Sequence, residues 1–286
     1  MLQAAGYERR AMRMVDCSTV LVAQVCPDCG QIHIKRANLC RDRLCPVCQW
    51  RLSAQRYAEM SKMLEASGDL LEGNTVAFLT LTVKNVTVDK LKGTLQDMSK
   101  AYKRLQERKL WKDNCLAWAR SVEVTYNVNK GTYHPHYHVL FVLNGEHDEG
   151  SLGAFRNLMG KLWDKCARLD YSSVIDLRRA YSDLDKDSVL AAARESFKYA
   201  VKSRDLTHLS LNDMKAFINA IAGFRMVSYG GAFRAIRKAL GMQERLDEPR
   251  DEQPEGDIVW CDCGGKYDET LLKWSGVTEG YNAYGE

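Results

Sequence analysis

The chain has 286 residues, 45% of them hydrophobic and 27% charged, a balance that excludes global disorder and allows a buried core. It contains no run of 18 apolar residues, and its N-terminus lacks the charged-then-apolar pattern of a signal peptide. We therefore expect a soluble, cytoplasmic protein whose ten cysteines are mostly reduced and available to metal ions.

Basic residues cluster locally although the net charge is only +4. Residues 35–56 contain six Lys or Arg against one acid, and residues 100–112 repeat that balance. Residues 244–257 reverse the sign, with seven acids against two arginines. Such segregation is typical of a phosphate-binding surface beside an acidic linker, although ordinary solvated helix faces produce the same pattern.

In chain order, the hydrophobic pattern alternates between helices and strands. The predicted helices are Trp50–Leu64, Val88–Leu110, Phe155–Cys166, Val189–Lys202, Leu211–Ile221 and Phe233–Leu240. The predicted strands are Thr75–Val83, Trp118–Asn127, Tyr133–Leu143 and Tyr171–Leu177. The turn Asn129-Lys130-Gly131 joins the middle two strands into a hairpin. This order predicts an α+β fold, in which helices pack on an antiparallel sheet.

One predicted strand carries three histidines at alternating positions, His134, His136 and His138. Alternation places them on one face, and two imidazoles two residues apart can bind one divalent metal ion. If the hairpin turn is centred between residues 129 and 130, Glu123 falls opposite His136 on the same face. Two histidines and a carboxylate leave positions open for substrate, as a catalytic metal site requires. The alternative is a histidine-rich surface strand that binds no metal.

A predicted helix carries a second candidate group, formed by Glu195, Tyr199 and Lys202. Their i, i+4, i+7 spacing aligns them in one stripe, opposite the helix's apolar side. A free phenol has a pKa of about 10, and a neighbouring ammonium favours its phenolate form. Tyrosine attack on a DNA phosphate would conserve the phosphodiester bond energy in a covalent link. The alternative is a solvated helix face with an incidental tyrosine.

Six segments together carry a resemblance to a known family. They are Asn38–Arg51, Phe78–Thr82 with Lys84-Asn85, Glu123–Tyr126, His134–Leu140, Tyr199–Lys202 and Val227–Gly231. In this order they resemble the motifs of the rolling-circle replication initiators of Gram-positive plasmids, within the HUH endonuclease superfamily. The resemblance implies a site-specific single-strand DNA endonuclease and strand transferase.

The resemblance also implies roles for individual residues. His136 and His138 would bind Mg or Mn, Tyr199 would form a 5′-phosphotyrosine link, and Glu195 would activate water at termination. His134 lies outside the core metal motif. The implied partner is plasmid origin DNA, at a hairpin or single-stranded nick site, and a host helicase is compatible with this role. We expect a zinc-binding, DNA-contacting segment at 1–68, an endonuclease domain at 69–243, and an acidic linker and tail at 244–286.

The cysteines predict a structural zinc site whose ligand set stays open. The candidates are Cys26, Cys29, Cys40, Cys45 and Cys48. Two Cys-x-x-Cys pairs in this set have a spacing that fits a four-cysteine zinc ribbon, whereas the resembling family carries cysteines that match the last three. Cys261 and Cys263 add two further potential ligands. Cys115 and Cys166 fit unliganded thiols.

Two other functions are compatible with parts of the sequence. A relaxase or transposase of the same superfamily would use the same nicking chemistry in a different biological role. A zinc-ribbon regulator that binds DNA without catalysis would account for the cysteines and the basic clusters. The regulator, however, leaves the histidine strand and the tyrosine helix without a role.

Overall fold

Two compact units make up the chain in the computed structural model, which describes residues 2–180, 208–242 and 260–283. One unit combines Met1–Leu52 with Glu248–Glu286, and the other is Ser53–Asp247. The predicted helix Val189–Lys202, with Glu195, Tyr199 and Lys202, lies outside the described residues.

The described helices are α1 Glu8–Val15, α2 Pro46–Glu65, α3 Gly68–Leu71, α4 Val88–Gln106, α5 Lys109–Asn114, α6 Glu149–Ala167, α7 Leu211–Ile221 and α8 Ala232–Ala239. The described strands are β1 Val20–Val25, β2 Ile32–Ala37, β3 Thr75–Thr82, β4 Cys115–Asn127, β5 Thr132–Leu143, β6 Asp176–Arg179, β7 Val227–Gly231, β8 Asp268–Ser275 and β9 Gly280–Ala283. None of these helices is long and apolar enough to cross a membrane.

The first unit is built on a four-stranded antiparallel sheet in the order β2-β1-β8-β9. Strands from the two ends of the chain meet in it, because Val22 of β1 pairs with Leu271 of β8. The sequence analysis predicted none of these four strands. Strand β2 shows why: its isoleucines are exposed, whereas the alternate residues His33, Lys35 and Ala37 are half-buried, the reverse of the usual amphipathic pattern.

The second unit contains a five-stranded antiparallel sheet in the order β6-β3-β5-β4-β7. Helix α4 covers one face of this sheet, and the ring of its Tyr102 packs edge-on against the ring of Tyr137 of β5. On the other face, Met60 and Met63 of α2 join a core cluster with Leu140 of β5. The predicted α+β class is confirmed. The apolar residues at spacings of three and four along α4 are all buried: Leu91, Leu95, Met98, Tyr102 and Leu105.

The helix predicted as continuous from Val88 to Leu110 is two helices. Helix α4 ends at Gln106, and Arg108 is extended, with ψ of 146°. The change of direction lets Trp111 of α5 pack against Tyr102, with ring centroids 5.5 Å apart. A buried tryptophan contact therefore outweighs helical continuation, since aromatic burial contributes more than one further helical turn.

The strand predicted at Tyr171–Leu177 begins instead at Asp176, and it continues to Arg179. The residues before it use their polar groups elsewhere. Ser173 donates from both its backbone N–H and its hydroxyl to Asp164 of α6, and the backbone N–H of Lys84 donates to the hydroxyl of Tyr171. These bonds hold the segment in a loop and leave only the last residues to pair with β3.

Candidate active site

The hairpin β4–β5 brings the predicted carboxylate and histidines together. Glu123 pairs directly with His136, which confirms the predicted register, and His138 lies opposite Ser121 on the same face. One oxygen of Glu123, Oε2, lies 3.2 Å from Nε2 of His136 and 3.0 Å from Nε2 of His138. Both imidazoles thus present the same nitrogen to a single point.

A hydrogen bond on the opposite nitrogen orients each imidazole. Nδ1 of His136 lies 3.1 Å from the backbone carbonyl of His134, to which it donates. Nδ1 of His138 lies 3.3 Å from the hydroxyl of Thr80, on the neighbouring strand β3. Histidines that bind metal ions commonly donate their other N–H to such an acceptor, which fixes the tautomer and leaves Nε2 as the ligand.

The three side chains are largely screened from solvent, with 11 to 14% of each exposed. Burial by itself would raise the pKa of Glu123, but hydrogen bonds and charge from His136 and His138 hold that pKa well below its usual range. Glu123 is therefore an ionised carboxylate, the form in which it can bind a cation.

The spacing of these atoms fits one divalent ion. Ligands that bind at about 2.1 Å and at right angles to one another lie about 3 Å apart. The two Glu123–histidine distances, 3.2 and 3.0 Å, match that spacing. The group is one of three in the described part of the chain whose ligand atoms all lie within 4.8 Å of one another. It is the only one of the three that contains no cysteine.

Aromatic and basic side chains border the group. The ring of His138 stacks on Phe78 of β3 with ring centres 5.3 Å apart, and the guanidinium of Arg178 lies 5.2 Å from the centre of the Phe78 ring. The side chain of Arg178 is 62% exposed, and its Nε lies 3.6 Å from a carboxylate oxygen of Asp176, which is itself exposed. Lys84, just beyond β3, places its ammonium 3.9 Å from the ring centre of Tyr171.

His134 takes no part in the group itself. Its ring stacks on His136 at 5.2 Å, and its contribution is the carbonyl that orients that histidine. The sequence analysis missed Thr80, which performs the same task for His138. The motif Phe78–Thr82 contains this threonine, but its partner is 58 residues away on a strand not adjacent in sequence.

The cysteines form two clusters, and this corrects the ribbon suggested by their spacing. Cys26 and Cys29 lie with Cys261 and Cys263, while Cys45 and Cys48 lie with Cys40. The two Cys-x-x-Cys pairs therefore do not share a site. Cys26 and Cys29 lie between β1 and β2, whereas Cys45 and Cys48 lie at the start of α2. The second cluster is completed by Cys17, which the sequence analysis did not identify; its Sγ lies 3.5 Å from that of Cys48. Cys115 and Cys166 belong to neither cluster.

The comparisons with known proteins agree on one family. A family described as Replication protein matches residues 31–282. Protein rep of Lentilactobacillus hilgardii is 33% identical over 255 residues, which cover 85% of this chain and 81% of that protein. Protein rep of Streptococcus pneumoniae serotype 2 is 29% identical over 282 residues, covering 96% of this chain and 85% of that protein. No solved structure matches. The resemblance predicted from the motifs is confirmed, and the chain belongs to the Rep family of replication proteins.

Proposed function

We propose that this protein initiates plasmid rolling-circle replication by nicking one strand of the double-strand origin. The strand is cut by transesterification to a tyrosine, and the cycle ends by rejoining or hydrolysis. One observation carries the proposal. Glu123, His136 and His138 converge on one point, and a hydrogen bond at Nδ1 orients each of the two imidazoles. A replication protein that only bound DNA would have no need of such a group.

Glu123, His136 and His138 would hold Mg²⁺ or Mn²⁺. When bound, the ion supplies a Lewis acid that polarises an oxygen of the scissile phosphate. Arg178, exposed beside the group, binds a neighbouring phosphate of the DNA strand and so positions the substrate. Two histidines on one strand and a carboxylate on its neighbour support the proposed HUH endonuclease chemistry.

Tyr199 is the proposed nucleophile, from its place in the motif Tyr199–Lys202. Its phenolate oxygen forms the new bond to phosphorus while the bond from phosphorus to the 3′ oxygen breaks. The 3′ oxygen leaves with the bonding electron pair and takes up a proton from solvent, which received the proton of the phenol. The product is a free hydroxyl that a polymerase can extend. Lys202, three residues further on, favours the phenolate and offsets charge on the phosphate.

Glu195 is proposed to end the cycle. Cleavage and rejoining by one tyrosine are the forward and reverse directions of the same reaction. A replication initiator therefore needs a second acceptor for the DNA strand to finish a round of replication. Glu195 precedes Tyr199 by four residues, a spacing that on a helix puts both on one face. A carboxylate there can act as a general base for water, which then hydrolyses the second junction.

One of the two cysteine clusters fits a structural zinc ion in the same protein. Cys17, Cys40, Cys45 and Cys48 are proposed to bind one zinc ion, which would hold the N-terminal unit together and present its basic residues to DNA. Of these, Cys45 and Cys48 are fully buried, as ligands of a closed structural site usually are.

Nicking of a supercoiled plasmid that carries the cognate origin tests the proposal. With Mn²⁺ the protein should convert supercoiled plasmid to open circles, and EDTA should stop it. His136→Ala and His138→Ala should abolish nicking, whereas the control His208→Ala, at an exposed position, should retain it. Nicking that survives both site substitutions would exclude this metal group as the catalytic centre.

A further inference from the structure

A second cysteine cluster joins residues from opposite ends of the chain. The Sγ atoms of Cys26 and Cys263 lie 3.5 Å apart, and so do those of Cys29 and Cys261. All four lie within 4.8 Å of one another, although more than 230 residues separate the two pairs. None of these four cysteines takes part in the proposed nicking chemistry.

The sulphur spacing matches ligands of one metal ion. A disulfide requires about 2.05 Å between sulphurs, far less than the distances found. Four thiolates around one zinc ion at about 2.3 Å stand about 3.8 Å apart in a tetrahedron. The observed 3.5 Å separations are close to that value. Zinc is the ion that four thiolates in a tetrahedron most commonly hold in a structural site.

A hydrogen bond closes a turn of the backbone at both pairs, over residues 26–30 at the first and 261–264 at the second. The N–H of Gly30 donates to the carbonyl of Cys26 at 2.8 Å, and that of Gly264 donates to the carbonyl of Cys261 at 2.8 Å. Both glycines directly follow a cysteine of the cluster and have positive φ, 74° and 89°. The same device recurs in the other cluster, where Ser18 and Arg41, each directly after a cysteine, adopt φ of 60° and 56°. Residues other than glycine rarely adopt a positive φ, so its recurrence after cysteines in both clusters indicates that both need the same tight backbone turn.

The sheet and one glycine bring the two turns into contact. Cys26 directly follows β1, whose last residue Val25 pairs with Asp268 at the start of β8, so both turns lie at the same end of the ladder. At Gly265 an added Cβ would lie 2.8 Å from Sγ of Cys26 and 2.3 Å from Asp28. A side chain there would displace Asp28 and Cys26, because the C-terminal turn packs directly against the N-terminal one.

We infer that Cys26, Cys29, Cys261 and Cys263 bind a zinc ion of their own, separate from any ion at Cys17, Cys40, Cys45 and Cys48. The ion ties β8 to β1 and makes the C-terminal segment an integral part of the first unit. Two of the ligands, Cys29 and Cys263, are exposed, so the site stands at the surface. Free exposed thiols would be open to alkylation and oxidation, whereas zinc-bound thiolates are protected.

Zinc content and thiol labelling test this site on the full-length protein. The double variant Cys29→Ser with Cys263→Ser should hold one zinc ion fewer per chain than the wild type, and Cys115→Ser should lose none. In the wild type under reducing conditions, mass spectrometry should find Cys29 and Cys263 protected from alkylation until a zinc chelator is added.

The labelling arm uses the native chain, so it decides even if the double variant fails to fold. Rapid alkylation of Cys29 and Cys263 without chelator would overturn the proposal. Protection that a reductant removes and a chelator does not would overturn it as well, since that outcome identifies a disulfide. Unchanged zinc content in a folded double variant would do the same. Neither measurement depends on nicking, so each can support or contradict the zinc site independently of the proposed activity.

Discussion

Glu123 has two neighbours that depend on its charge. His136 and His138 both direct Nε2 at its Oε2 atom, and their hydrogen bonds keep it ionised despite burial. In Glu123→Gln the amide keeps the shape but loses the charge that attracts a cation. We expect Mn²⁺ affinity to fall by more than about tenfold, and nicking with it. Calorimetric titration with Mn²⁺ measures the loss, and circular dichroism checks the fold. Unaltered Mn²⁺ affinity would remove Glu123 from the ligand set.

Thr80 tests whether orientation of an imidazole matters in itself. Thr80→Val keeps the shape of the side chain and removes the hydroxyl that faces Nδ1 of His138. Metal affinity should fall by about 10 to 100-fold, the usual cost of losing such a partner. Thr82→Val is the matched control, because the hydroxyl of Thr82 donates to the carbonyl of Val174 instead. Equal effects of the two variants would show that the hydroxyl has no special role.

Glu195 separates initiation from termination. Because we assign it to the second cleavage, Glu195→Ala should still nick and still form the covalent adduct, but it should release product slowly. Glu195→Tyr should restore part of the turnover, since a second phenol can accept the strand. Single-turnover and multiple-turnover rates on one hairpin substrate distinguish these steps. Loss of the first cleavage together with the adduct would assign Glu195 to the metal or the fold.

At the scale of elements, what could be predicted depended on how far apart in sequence two partners are. The β4–β5 register followed from a short turn, so the position of Glu123 opposite His136 was predictable. The pairing of β3 with β5, which brings Thr80 to His138, joins strands separated by two helices and a further strand. Cys17 as a member of its cluster and the pairing of β1 with β8 were not predicted for the same reason, because no local sequence pattern identifies a partner that is distant in the chain.

Strand β7 explains in structural terms a motif that the sequence analysis assigned only by resemblance. A Cβ at Gly230 would lie 2.2 Å from the indole of Trp118, and Gly231 has a φ of +57°. Both glycines are needed for β7 to pair closely with β4. The motif Val227–Gly231 therefore builds the sheet edge and requires no catalytic role.

Substitution of these glycines gives a prediction about stability. Gly230→Ala should destabilise the protein by about 1–3 kcal/mol, because Trp118 must move to make room. Gly153→Ala is the control: it lies in helix α6 with nothing within 4 Å of the added carbon, and should gain up to about 1 kcal/mol. Urea unfolding of both variants measures the difference. A Gly230→Ala protein as stable as the wild type would show that the indole moves freely.

Over the whole molecule, the two units offer different donor sets. Thiolates in the first unit suit zinc, whereas imidazole and carboxylate in the second suit a harder ion such as Mn²⁺. Brief EDTA treatment should therefore abolish nicking while the bound zinc stays in place, and added Mn²⁺ should restore activity. Metal analysis and plasmid nicking on the same sample check this. Recovery that requires zinc, or zinc loss in step with activity, would contradict the division.

The covalent link tests the central claim most directly. The protein is incubated with Mn²⁺ and a library of single-stranded hairpin oligonucleotides, and adducts are separated on a denaturing gel and mapped by mass spectrometry. We expect an Mn²⁺-dependent adduct whose DNA is attached to Tyr199. The adduct should be absent from Tyr199→Phe, although that variant still binds the same hairpins. An undiminished adduct in Tyr199→Phe would contradict the assigned nucleophile. Binding to hairpins by the wild type without any adduct would contradict the nicking function itself.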